Sequence, residues 1–347
     1  MAAVDAHLRR LALVQGLADG AWHSGEALAA ALGVSRTAVW KHAGQLAEWG
    51  LELESEAGRG YRLSRPVSLL DGAGLRAALA PACAASLRTL TVAPELDSTN
   101  AELLAVKDLP VGQFDLCLAE FQSAGRGRRG RVWQSPFAAG LCLSLSWTFR
   151  ELPAGLGALS LATGVAVRQA LASCQLAAGV RLKWPNDLLQ AGRKLGGVLI
   201  ELRAEAGGPA YVVIGVGLNV DLPPATREAV AATGLALADL TESALQLGLA
   251  LPSRTRLAAT LAQELHAMLV QFSAAGFAPF REAWSGVDAL LDQPVRLVEA
   301  AGERRGIARG IDSDGALRVE FAAAGAGMQP TVERVMAGEV MHLRPVT

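Results

Sequence analysis

The residues best suited to chemistry fall between 97 and 219. Gln122-Ser123-Ala124-Gly125-Arg126-Gly127-Arg128-Arg129-Gly130-Arg131 follows an apolar run. Four arginines within six residues cannot form a core element. Guanidinium forks and glycine-exposed backbone N–H groups together suit phosphate or carboxylate. The run is not a Walker loop, because no G-K-[ST] closes it. A disordered basic loop or an RGG-type RNA patch is the competing reading. The apolar strand before it, and Trp133, Pro136 and Phe137 after it, favour a ligand-binding loop that is mobile when empty and orders around its ligand.

Two further motifs carry lysine, a residue this arginine-rich chain uses only at Lys41, Lys107, Lys183 and Lys194. Lys183-Trp184-Pro185-Asn186-Asp187 and Lys194-Leu195-Gly196-Gly197-Val198-Leu199-Ile200-Glu201 read as a strand pair. Each arm carries a compact ammonium, with the acid Asp187 between them. A plain Lys183–Asp187 surface ion pair is the structural alternative. Gly196-Gly197 at a strand start is costly unless something approaches the backbone. Val213 to Val220 reads either as a buried strand or, through Gly215, Gly217 and Asn219, as a wall that a ligand approaches.

Several elements must position these motifs. Residues 1–66 read as helix, helix, helix and hairpin. Leu8, Leu11, Leu13 and Leu17 mark the first helix. Ser24 caps a second, which ends at Gly33, and Ser35 caps a third, from Arg36 to about Trp49. The pattern A-x-x-L-G-V-S-R-x-A-V is that of a helix-turn-helix. It turns Val34 and Val39 inward and leaves Ser35, Arg36, Thr37, Trp40 and Lys41 to face a groove. A hairpin around Gly58-Arg59-Gly60, with Arg59 and Arg62, forms a wing toward phosphates. Near-neutral overall charge in this region keeps a protein-docking module as the alternative.

Residues 67–289 mix strands (Thr89–Val92, Leu116–Phe121, Leu141–Trp147, Val198–Leu202, Tyr211–Val220) with helical runs Leu159–Leu176 and Arg254–Phe272, so an α+β class is expected. Residues 290–347 read as short strands, Val295–Val298, Gly306–Ile311, Leu317–Phe321 and Val340–Leu343. The hairpin signal Asp312-Ser313-Asp314-Gly315 lies among them, and a small β-barrel is expected. The stretches 204–210 and 322–327 read as flexible loops. The length of 347 residues suits two or three domains.

Composition excludes several classes. A net charge of −1 argues against a generally nucleic-acid-coating protein. Cys83, Cys117, Cys142 and Cys174 are widely spaced, with no C-x-x-C pair and no histidines gathered near them. They read as free thiols of a reducing compartment, with no metal site. No run approaches a membrane span, and the first residues lack a signal-peptide pattern, so a cytoplasmic protein is expected.

The motifs Asp97-Ser98-Thr99-Asn100, Gly125 to Arg131 with Trp133, Lys183 to Asp187, Lys194 to Gly197 and Gly215-x-Gly217-x-Asn219 together resemble the biotin–protein ligases. The flanking helix-turn-helix and β-module resemble the bifunctional subgroup that also represses the biotin operon. The resemblance spans essentially the whole chain. It implies a winged helix-turn-helix DNA-binding domain (1–66), a central mixed-sheet, class II synthetase-like catalytic domain (67–289) and a C-terminal SH3-like β-barrel (290–347).

It also implies that Ser98, Thr99, Asn100 and Gln122 bind the ureido ring of biotin. Gly125, Arg126, Gly127 and Arg128 would form the loop over biotin and the adenylate, with Trp133 an apolar wall. Lys194 would contact the biotin carboxylate and α-phosphate beside Gly196 and Gly197, with Lys183 nearby and Asn219 on the nucleotide. ATP, biotin and Mg²⁺ would be the small molecules. The partners would be a biotin carboxyl carrier protein, operator DNA and a second copy in a ligand-promoted homodimer. One departure stands out: Thr233-Gly234-Leu235-Ala236 lacks the tryptophan that stacks near adenine in repressor-type relatives.

The chemistry agrees with the residues present. A carboxylate is ionised near neutral pH, so its attack on phosphorus needs no general base, only cations: Lys194, Lys183, Arg128 and Mg²⁺. The acceptor lysine must lose a proton, and Asp187 is the candidate to orient or deprotonate it, with the adenylate phosphate as the other candidate. A lipoate or octanoate ligase or transferase is the nearest rival, and a non-catalytic ligand-sensing regulator the second.

Overall fold

The protein is described from a computed structural model, which places residues 2–151, 153, 155–204, 208–299, 302–322 and 329–342. The first three helices are α1 (Ala2–Leu17), α2 (Gly25–Leu32) and α3 (Arg36–Gly44), followed by hairpin strands β1 (Leu53–Glu56) and β2 (Gly60–Leu63). The Ser24 and Ser35 hydroxyls accept from Ala27 N–H (3.0 Å) and Ala38 N–H (3.2 Å), capping α2 and α3. Gly33, at φ 63°, makes the left-handed turn between them.

Val39 is buried and Val34 half-buried, while Ser35, Arg36, Thr37, Trp40 and Lys41 are exposed. α3 is shorter than its sequence reads. It stops at Gly44, and Leu46–Trp49 form a separate 3₁₀ turn closed by Gly50 (φ 70°). Tertiary packing overrides helix propensity here, because Trp49 leaves the helix to stack on Phe137 of the central region at 4.4 Å.

The central region holds α4 (Gly72–Ala77), α5 (Pro81–Ser86), β3 (Leu87–Leu96), α6 (Thr99–Leu104), β4 (Phe114–Gln122), β5 (Gly140–Phe149), α7 (Leu159–Ser173), β6 (Val180–Lys183), β7 (Asp187–Gln190), β8 (Arg193–Ala204) and β9 (Ala210–Asn219). It continues with α8 (Pro224–Ala231), α9 (Leu240–Gln246), α10 (Arg254–Ala275) and α11 (Arg281–Ser285). One seven-stranded sheet runs in the order β3-β4-β5-β9-β8-β7-β6, parallel between β3 and β4 and antiparallel elsewhere.

Strand β5 shows why the sheet has one dry and one chemical face. Leu141, Leu143, Leu145, Trp147 and Phe149 alternate into a core shared with α7 and α10. Cys142, Ser144, Ser146 and Thr148 face the other way, where Ser144 meets α6.

A buried ion pair locks this region. Arg254 at the start of α10 pairs with Glu120 on β4, and donates to Gly140 O (2.9 Å) and Ser68 O (3.0 Å); Glu120 also accepts from Leu70 N–H at 2.6 Å. These bonds tie the segment after the hairpin, two central strands and α10 to one point.

The C-terminal strands are β10 (Pro294–Glu299), β11 (Gly302–Ile311), β12 (Leu317–Phe321), β13 (Thr331–Val335) and β14 (Glu339–His342). They form one antiparallel sheet. The order is β13-β12-β11-β10-β14, so β13 and β14 lie at opposite edges and no barrel closes among the described residues. The apolar face does not need to close on itself: Val295, Leu297, Ala308, Leu317, Val319 and Val340 join the core cluster of the central region. The hairpin at Asp312–Gly315 presses against it. A Cβ on Gly315 would lie 2.6 Å from Ala158 Cβ, and Gly315 O accepts from Trp184 Nε1 at 3.1 Å. Of the stretches read as flexible loops, Ala204 and Ala210 pair at the end of β8 and β9, while 205–207 and 323–328 lie outside the described residues. Leu343, read as part of the last strand, also lies outside them.

Candidate active site

Above the polar face of the sheet lies a cavity of about 450 Å³, within the range typical of small-molecule sites. Its lining includes Ser98, Thr99, Asn100, Gln122, Arg126, Gly127, Arg128, Trp133, Lys183, Asp187, Lys194, Gly197 and Asn219. Motifs more than a hundred residues apart in sequence therefore share one space.

The floor is a continuous chain of hydrogen bonds. Thr99 donates its N–H (2.8 Å) and hydroxyl (3.1 Å) to Gln122 Oε1. The Ser144 hydroxyl lies 2.7 Å from Thr99 Oγ1 and 2.6 Å from Asn100 Oδ1. Asn100 Nδ2 donates to Glu201 Oε2 at 2.8 Å. Ser98, Thr99 and Asn100 are buried, and Ser98 caps α6. Buried polar groups in such a network hold fixed orientations, the condition for reading a polar ring edge. Cys142 also lines the cavity, but burial pushes its thiol pKa up, so it stays protonated. Burial likewise pushes Cys83 to about 11 and Cys117 to about 12. All four cysteines are free.

The arginine loop forms one wall. Gly127 N–H donates to Arg131 O (2.7 Å), Trp133 N–H donates to Gly125 O (2.9 Å), and Arg129 takes φ 56°. Ser123 binds Asp97 at 2.7 Å and fixes the loop's base. Arg126 pairs with Glu201 (3.0 Å), and Arg128 donates to Asn186 Oδ1 (3.3 Å). The loop thus takes a folded form beside the cavity, and its reading as a ligand-binding loop named no partner for these arginines. Glu201 and Asn186 supply acceptors that reading left out.

The cationic wall depends on a β-bulge. Leu188 pairs with Gly196 but Leu189 with Lys194, so Leu195 is the extra residue. The extra residue puts Lys194 on the same face as Gly197 and Asp187, and Lys194 Nζ reaches Asp187 Oδ1 at 2.8 Å. Lys183, at the C-terminal end of β6, sits directly across from Asp187. Asn186 pins the turn between β6 and β7 by donating to Val198 O at 2.8 Å, and Pro185 O accepts from Ser160.

Two glycines assigned to ligand contact have other causes. A Cβ on Gly125 would lie 2.4 Å from Trp133 O, and one on Gly196 2.6 Å from Gly217 O; the protein's own backbone crowds both, and neither lines the cavity. A Cβ on Gly217 would lie 2.5 Å from the Trp133 ring, and one on Gly215 would run into Asn100 Oδ1. Asn219 lines the cavity, but its Nδ2 donates to Lys194 O (3.1 Å) and Ala238 O (3.0 Å), so it braces the β8 backbone.

On the side where the tryptophan is missing, Val230, Thr233, Leu235 and Leu237 form the wall, joined by Gly338, Val340 and Met341 of the C-terminal sheet. Lys194 N–H donates to Ala236 O (2.8 Å) and Ala238 N–H to Lys194 O (2.9 Å), stitching this segment to the lysine. Arg193 of β8 and Arg227 of α8 both pair with Glu242 of α9 and join the three elements; the Arg193 guanidinium keeps the Glu242 carboxyl below its ordinary range. The sequence reading placed Thr233 and Leu235 on this side but not Val230 and Leu237; α8, which carries Val230, buries no residue.

In the N-terminal module Trp40 is 69% exposed on α3. The wing arginines are engaged within the module: Arg59 with Glu56 (2.8 Å), Arg62 with Glu54 (2.6 Å), and both over the Trp22 ring (4.4 and 4.9 Å). Their charge is largely balanced at home, so Arg36 and Lys41 are the exposed cations of the helix face.

Residues 92–219 match the model of the biotin/lipoate A/B protein ligase family, which sets the class of the central region. Residues 9–62 match an HTH domain and residues 290–343 the biotin protein ligase C-terminal domain. The chain is 40% identical over 311 residues to the bifunctional ligase/repressor BirA of Salmonella typhimurium, covering 89% of this chain and 92% of that protein. It is 37% identical over 263 residues to the biotin–[acetyl-CoA-carboxylase] ligase of Mycobacterium tuberculosis, covering 74% of this chain and 90% of that one. Among solved structures, the biotin protein ligase of Aquifex aeolicus in complex with biotin and ATP shares the fold with a TM-score of 0.56 at 24% identity, over 75% of this chain and 99% of that chain. The chain belongs to the biotin–protein ligase family, in its bifunctional ligase/repressor group.

Proposed function

We infer that this chain joins biotin to ATP to give biotinyl-5′-AMP and pyrophosphate, transfers biotin to a lysine amine of a carrier protein with release of AMP, and represses transcription through its winged helix. The observation that carries the ligase reading is the single cavity in which a polar floor faces Arg126, Arg128, Lys183 and Lys194. A ureido ring fits the floor of Ser98, Thr99, Asn100 and Gln122, all donors or acceptors. The biotin carboxylate then lies toward Lys194 and attacks the α-phosphorus. The four cations offset the charge that develops there, and pyrophosphate leaves.

Asp187 positions Lys194 and orients the incoming amine for the second step. Mg²⁺ would enter on the ATP phosphates. Among the described residues no three His, Cys, Asp or Glu groups gather as a metal site, and the cavity's carboxylate is Asp187, a donor set that suits an ion held by phosphate and water. Leu235, Leu237 and Val230 take the place of the missing tryptophan against the base.

Labelled biotin, ATP and a biotin carboxyl carrier domain test the ligase reading. Label on the carrier lysine is expected; label transferred from lipoate but not from biotin overturns it. Gly215→Ala places a Cβ into Asn100 Oδ1. A KM for biotin raised about tenfold or more is expected from the lost buried hydrogen bonds, with little change in KM for ATP. An unchanged biotin KM contradicts the floor assignment.

For DNA, Ser35, Arg36, Thr37, Trp40 and Lys41 form the reading face, with Arg59 and Arg62 on the wing. A ligand-promoted homodimer would present two such helices to a two-half-site operator. The double variant Arg36→Ala, Lys41→Ala is expected to weaken retention of biotin-operon DNA about tenfold or more and to flatten its salt dependence. Undiminished retention rejects that face. No helix among the described residues is long and apolar enough to cross a membrane; cytoplasmic residence is part of the proposal.

A further inference from the structure

We propose that Glu201 is a positioning residue that couples the ring-binding floor of the cavity to the arginine loop, so that occupation of the floor is felt by the loop before any nucleotide binds. This proposal rests on the ligase reading and deepens it. One carboxylate serves two partners from different elements. Glu201 Oε1 holds Arg126 of the loop at 3.0 Å, and Oε2 accepts from Asn100 Nδ2 of α6 at 2.8 Å. Asn100 in turn accepts from Ser144, which binds Thr99, which donates to Gln122. A single hydrogen-bonded path therefore runs from Gln122 through the floor to the loop guanidinium. Gly215 keeps the space that seats Asn100 in that path.

The two ends of the carboxylate differ in exposure. Asn100 is buried, while the Arg126 side chain is 44% exposed. An ion pair that open adds little to stability, so Glu201 serves geometry more than folding. A ligand that fixes the Asn100 amide also fixes the Glu201 carboxylate, and with it the place where Arg126 rests. The loop is then held over the cavity before phosphate arrives, which lowers the ordering cost of closure.

Glu201→Gln keeps an acceptor for Asn100 and removes the charge that holds Arg126. Trypsin probes the loop directly, because its cleavage sites are the loop arginines themselves. In the wild type, biotin alone is expected to slow cleavage within 126–131. In Glu201→Gln, biotin is expected to bind with a Kd within about threefold of wild type, yet to protect the loop much less, and biotinyl-5′-AMP is expected to dissociate about tenfold faster. The thermal midpoint without ligand should not move. Arg126→Gln, alone and combined with Glu201→Gln, closes a double-mutant cycle whose release rates should be strongly non-additive.

Equal loop protection by biotin in wild type and Glu201→Gln, or additive effects in the cycle, overturns the coupling while the ligase reading stands. A wild type that makes no adenylate from biotin and ATP overturns both.

Discussion

Lys194→Ala is expected to lower biotin-dependent pyrophosphate exchange by a factor of about 10² to 10³, the scale for removing one charge aimed at a developing anion in a site shielded from water. The reason lies in how the side chain is placed. The bulge at Leu195 turns Lys194 into the cavity, Asp187 holds its ammonium at 2.8 Å, and its backbone is clamped by Ala236, Ala238 and Asn219. None of those backbone bonds depends on the side chain, so the fold should survive, with a thermal midpoint near that of wild type. The loss should fall on kcat more than on KM for biotin, because the ring floor is untouched. Exchange within a few-fold of wild type would remove Lys194 from the chemistry.

The second large effect is on stability. Arg254→Met leaves Glu120 charged and buried without its partner, which costs about 3–5 kcal/mol. For a chain of this size a fall in Tm on the order of 10 °C is expected. The double variant Arg254→Met, Glu120→Met removes both charges and should recover part of the loss, although Leu70 N–H, Gly140 O and Ser68 O lose partners. A melting curve for Arg254→Met that superimposes on wild type would show that the pair is not the tie described. Adenylate formation per folded molecule should be nearly unchanged at low temperature, since neither residue lines the cavity.

The two effects separate what composition and pattern could reveal from what they could not. Strands such as β5 and helices such as α10 were legible because burial on one or both faces writes a period into the sequence. Ser24, Ser35 and Gly33 were legible because capping and left-handed turns restrict residue type locally. The cavity's cations were legible because arginine and lysine clusters next to glycine have few structural uses.

What stayed hidden is relational. Glu201 closes a strand motif in the sequence, and nothing local marks it as the partner of both Asn100 and Arg126. Lys194 is seven residues from Asp187 in sequence, and nothing local marks it as a partner of that acid; a one-residue bulge brings the two together. Gly125 and Gly196 look like ligand-approach glycines, but the crowding comes from Trp133 O and Gly217 O. In the C-terminal region, strand count and turn signals do not say whether an apolar face closes on itself or on a neighbour.

The central claim is that one cavity makes an acyl-adenylate from biotin and ATP. The most direct measurement is to incubate the full-length protein with biotin, ATP and Mg²⁺, denature it, and analyse the released small molecules by mass spectrometry. Near-stoichiometric biotinyl-5′-AMP with matching pyrophosphate is the expected result. Biotin and ATP returned unchanged, or an adenylate formed only when lipoate replaces biotin, would contradict it.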